Sequence, residues 1–131
     1  MAHENKRSRK RARQAEASAE AKERFRYGLI AHQTLRAMKL EDLGLHVADA
    51  EVLPSLDGKP DGMAGWLIFA DREEAKMAAM PDIASGVMSR LRKGLQANGF
   101  PKTAVPSFAL RFTSQPEIEA AGGRFAYFRS I

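Results

Sequence analysis

For its first 24 residues this chain gives a hydrophobic core almost nothing to bury. Residues 4–24 read ENKRSRKRARQAEASAEAKER, with no Pro, no Gly and no apolar side chain larger than Ala. Ala, Glu, Lys and Arg are strong helix formers, so residues 1–24 are expected to form a long basic N-terminal helix, an arm that cannot join a core. Such a helix is marginal in water without tertiary packing. Its own charges help little, because Glu16 and Glu20 repel at i,i+4 while Glu20 and Arg24 attract. The fold must therefore be built from residues 25–131, which are expected to make a single α+β domain.

The arm also holds the charge. Residues 1–26 carry nine Lys/Arg against four Glu, whereas residues 27–131 carry twelve Lys/Arg against twelve Asp/Glu. The formal net charge of +5 thus belongs entirely to the arm. A neutral body joined to a charged extension is two physical objects in one chain.

From Phe25 the pattern becomes amphipathic. Tyr27, Ile30, Ala31, Leu35 and Met38 recur at helical spacing, with Phe25 and Leu29 widening the stripe. This is expected to be a core-facing helix of about four turns, continuous with the arm and stopped near Gly44. LHVADAEVLP suggests a first strand near 45–53, SLDGKPDGMAG a hairpin loop, and WLIFA (66–70) a buried central strand. Asp71 with Glu74 forms a capping box for a short helix. Asp82 is expected to cap a longer one with Ile83, Val87, Leu91 and Leu95 inward, stopped by Asn98-Gly99-Phe100-Pro101. SFALRFT (107–113) alternates cleanly as a strand, with Phe108, Leu110 and Phe112 on one side. Ser114 with Glu117 caps a helix, PEIEAA, and RFAYFR (124–129) is expected to be a last strand. The fold expected is a two-layer α+β sandwich, with a four-stranded mixed or antiparallel sheet and helices on one face.

Composition excludes several chemistries. With zero Cys there is no disulfide framework, thiolate nucleophile or thiolate metal site. No apolar run is long enough to cross a bilayer, and the charged N-terminus lacks the apolar stretch of a secretory signal. A cytoplasmic location is expected, and the Ala- and Arg-rich usage points to a bacterial source. His3, His32 and His46 are scattered without clustered carboxylates, so no metal and no cofactor is expected. The Asp57-to-Asp61 loop lacks the alternating ligands of a calcium loop and reads as turn chemistry. Phosphate-binding glycine loops and nucleophile elbows are absent.

One segment carries a functional signal. In KRSRKRAR (6–13) six of eight residues are cationic. Lys6, Arg7, Arg9, Lys10, Arg11 and Arg13 would surround a helical rod with charge and contact phosphates with little orientational demand. The run contains no aromatic side chain, so any base stacking must come from the body. Trp66, Phe125, Tyr127 and Phe128, with Arg111, Arg124 and Arg129 beside them, could present such a face if their strands were open to solvent. The expected function is a non-enzymatic binding module whose arm contacts nucleic acid, RNA or a ribonucleoprotein being favoured. The alternative is a protein-partner inhibitor of the immunity or antitoxin kind, suggested by small size and the acidic loop at Asp57 and Asp61. A small-molecule site using His32, Asp49 or Glu51 ranks last. Oligomeric state is not encoded in these patterns.

Overall fold

A computed structural model describes residues 11, 13, 25–55, 57 and 59–129. The body begins with helix α1, residues 25–36. Its inner side is carried by Ala31 and Leu35, both fully buried, with Tyr27, Ile30 and Met38 partly buried against the same core. Phe25 and Leu29 do not widen that stripe as expected; they stand in solvent. The helix also stops short of Gly44, which instead takes a left-handed conformation to close a 3-10 turn at Glu41–Leu43.

Strand β1 (Val47–Leu53) runs antiparallel to β2 (Ala64–Phe69), joined by the loop expected from its Gly, Pro and Asp content. The register slips between Val47 and Asp49, leaving Ala48 as a bulge. Helices α2 (Arg72–Ala78) and α3 (Pro81–Ala97) then form the crossover to β3 (Ala109–Ser114), which lies parallel to β2. A parallel return needs a long connection, and two helices supply it. The sheet is mixed and three-stranded, in the order β1-β2-β3. The expected fourth strand does not exist: residues Arg124–Arg129 are helix α5, following α4 (Gln115–Ala120).

Period decides that correction. Read in steps of two, Phe125, Tyr127 and Arg129 share a face; read helically, Arg124, Tyr127 and Phe128 do. Six residues are too few for alternation to distinguish the two, and tertiary packing chooses. Trp66 is the docking point, meeting Tyr127 edge-on at 5.8 Å and Phe128 at 5.7 Å between ring centroids.

This packing also overturns the expectation of helices on one face. Gly65, Leu67 and Phe69 of β2 point toward α1, α2 and α3, where the main core lies. Trp66 and Ile68 point the other way, toward α4 and α5. The sheet is therefore covered on both sides.

Local capping follows the sequence with two amendments. The Asp71 carboxylate accepts from the Glu74 N–H at 2.8 Å, but Glu74 does not reach back to complete the box. Its Oε1 accepts instead from the His46 N–H at 2.8 Å, tying α2 to the start of β1. Asp82 is not a cap: Met80 holds that position without a side-chain bond, Pro81 opens α3, and Asp82 lies in its first turn. At the other end Phe100 N–H donates to Leu95 O and Gly99 N–H to Gln96 O, the two bonds of a Schellman stop.

Candidate nucleic-acid interface

Of the six cations in the run 6–13, Lys6, Arg7, Arg9 and Lys10 lie outside the described residues, as does the continuous rod expected to join them to α1. Arg11 and Arg13 are helical and exposed. The structure does describe the carboxylates on the body that the arm might otherwise neutralise. Many of them are already engaged by the body's own cations.

Arg124 is the densest of these arrangements. Its Nη1 donates to Asp49 Oδ2 at 2.5 Å, and its Nη2 donates to Glu51 Oε2 at 2.6 Å and to the Ala50 carbonyl at 3.1 Å. Arg36 Nε lies 3.6 Å from Asp49 Oδ1. Burial pushes the Asp49 carboxyl up, but the Ala50 N–H, Arg124 and Arg36 outweigh it and hold it below its ordinary value. Elsewhere Arg90 grips Asp42 through both terminal nitrogens, at 2.8 and 2.5 Å, and also donates to the Lys39 carbonyl. The hydrogen bond from Arg90 holds the Asp42 carboxyl low. Lys76 sits 3.7 Å from Glu73, and His46 Nδ1 2.7 Å from Glu74.

The three residues considered for a small-molecule site do converge. His32 Nε2 lies 3.2 Å from the Ala50 carbonyl, from the α1 side of the sheet, while Arg124 holds the same oxygen from the α5 side. Asp49 and Glu51 flank it. Together with the bond from the Ala50 N–H to Asp49 Oδ1, at 2.8 Å, these contacts satisfy both main-chain groups of Ala50, in the middle of an edge strand. An edge so clasped is poorly suited to accept another strand. Beside it, a cleft of about 330 Å³ is lined by Asp49, Ile68, Gln115, Ile118, Glu119 and Arg124. Arg124 there is shared between Asp49 and Glu51, and Asp49 between Arg124 and Arg36. Among the described residues, no group of three or more His, Asp or Glu side chains is placed to hold a metal, and no helix is long and apolar enough to cross a membrane.

The aromatic platform that open strands would have presented is not there. Trp66 is buried beneath α5, with Arg111 at 5.6 Å from its ring centroid, and Tyr127 and Phe128 are half-buried against it. Two rings remain in solvent, Phe125 at 77% exposure and Phe25 at 66%. The latter was misjudged as core because it continues the apolar stripe of α1. Phe125 and Arg129 share the outer side of α5, at 5.2 Å from ring centroid to guanidinium.

No protein-family model, no curated protein and no solved structure matches this chain.

Proposed function

We propose that the chain is a non-enzymatic binding module that holds nucleic acid, RNA or a ribonucleoprotein in particular, through its basic arm. The observation that carries this reading is the segregation of charge: all of the net +5 lies in residues 1–26. The pairing within the body supports it. Asp42, Asp49, Glu51, Glu73 and Glu74 are each engaged by a cation or histidine of the body itself. The body itself carries no net negative charge to balance the arm, with twelve Lys/Arg against twelve Asp/Glu in residues 27–131, so the surplus suits an external polyanion, where each phosphate contact releases a condensed counterion.

Crosslinking in cells tests the assignment, comparing the natural chain with a variant in which Lys6, Arg7, Arg9, Lys10, Arg11 and Arg13 are all replaced by Gln. The natural chain is expected to recover crosslinked RNA and the variant none. Equal RNA recovery from both would overturn the reading. A stoichiometric protein partner that survives the arm substitutions, with no RNA, would favour a protein-partner inhibitor instead.

A further inference from the structure

The surface beside β1 says what form of nucleic acid the arm would hold, an inference that rests on the reading just given. Phe125 projects from α5 away from Trp66, and Arg129 lies against its ring. Phe25 opens the described part of α1, where the arm meets the body. A shallow hollow lined by Phe25, Leu29, His32 and Val52 and another lined by Phe125, Phe128 and Arg129 share one wall, Glu51 on β1. Arg124 neutralises that carboxylate at 2.6 Å, so the shared wall presents no unpaired negative charge.

Exposed rings of this kind, one of them with an arginine against it, match the requirements of an unpaired base. Every base has a flat π face, and stacking on an aromatic side chain backed by arginine is how single-strand binders gain affinity without reading sequence. A duplex keeps its bases stacked internally and could use only the arm. Strand addition by a protein is disfavoured at Ala50 by the clasp there, and Arg129 against Phe125 favours an anionic partner over an apolar one. We propose that Phe125, backed by Arg129, and Phe25 form a stacking site for unpaired bases of a single-stranded nucleic acid whose phosphates the arm holds.

Fluorescence anisotropy on the full chain decides it, using an unstructured adenine-rich RNA of about 15 nucleotides and a duplex of the same length. Phe125→Ala is expected to weaken single-strand binding about 5- to 100-fold, and Phe125→Trp to preserve it. Duplex affinity should stay unchanged in both. Since Phe125 is exposed, an unaltered thermal midpoint confirms that the variants fold; Phe25→Ala supplies a second, independent loss. If Phe125→Ala and Phe25→Ala both bind the single strand like the natural chain, while the arm substitutions abolish binding, stacking is overturned and the arm reading stands. If the natural chain binds neither RNA, both fall. A protein partner captured by the natural chain and lost in Phe125→Ala would also overturn it.

Discussion

Gly65 offers the sharpest test of how the body is packed, because two opposing effects of known sign meet there. A methyl group at this position would lie 2.7 Å from Leu35 Cδ1 and 2.8 Å from both Cε1 and Cζ of Phe108. Carbon atoms prefer about 3.5–4.0 Å, so Gly65→Ala drives three contacts deep into repulsion at once. Leu35 and Phe108 are both buried and cannot swing away cheaply. Overpacking of this kind costs about 1–3 kcal/mol. Against it stands the gain of replacing Gly within a strand, about 0.5–1 kcal/mol. The difference spans about 0–2.5 kcal/mol; with three contacts under 3.0 Å against two buried partners the cost lies at the upper end, a net loss of about 1–2 kcal/mol and a fall in Tm of roughly 5–15 °C for a domain of this size. Urea unfolding followed by fluorescence of Trp66, the sole tryptophan, should show the midpoint falling by about 0.5–1.5 M at unchanged slope. Gly86→Ala is the matched control: it lies on the exposed side of α3 with nothing within 4 Å of the added methyl. It should gain about 0.5–1 kcal/mol. If Gly65→Ala were neutral or stabilising while Gly86→Ala behaved as expected, the close approach of α1 to β2 would be wrong.

Asp71→Ala removes the side-chain cap of α2 and should cost about 1 kcal/mol in the same urea assay, whereas Asp71→Ser should recover most of it. Arg124→Met removes two ion pairs and a bond to the Ala50 carbonyl; since its side chain is 43% exposed, screening limits the loss to about 1 kcal/mol, and that loss should shrink in high salt. The same contact predicts a pH dependence. Asp49 has a folded pKa lowered from its ordinary value, so its contribution is fully present above the unfolded pKa of about 3.9 and disappears as pH falls through the lower folded value. Acid unfolding of the natural chain and of Arg124→Met should therefore converge at the acid end, and a constant difference across that range would contradict the pairing.

Where a local signal had its own chemistry, the sequence disclosed the structure. Asp71 and Ser114 cap their helices because a short polar side chain satisfies an orphan N–H wherever it occurs. Gly99 and Phe100 stop α3 for an equally local reason. β3 was legible because its inward residues, Leu110 and Phe112, alternate with Ala109 and Arg111. The misreadings arose where tertiary contacts decide. Residues 124–129 fold as a helix because helical spacing brings Tyr127 and Phe128 together onto Trp66, a contact that strand alternation would not make. Phe25 extends the periodicity of α1 past the end of the core beneath it, and periodicity cannot report where a core ends. The clasp of His32 and Arg124 on Ala50 joins residues far apart in the chain and has no sequence signature. At the proposed interface, the arm's cations were plain from their density, but the exposure of Phe125 required knowing that its neighbours turn inward.

The salt dependence of RNA binding measures directly what the arm's charge is for. With six arm cations each meeting a phosphate, the logarithm of affinity should fall with the logarithm of salt at a slope of roughly −4 for a single strand. Between about 50 and 200 mM salt that is a loss of two to three decades. The variant with those six cations replaced by Gln should show weak binding and little slope. A flat salt response in the natural chain, or an identical slope in the variant, would contradict the central claim.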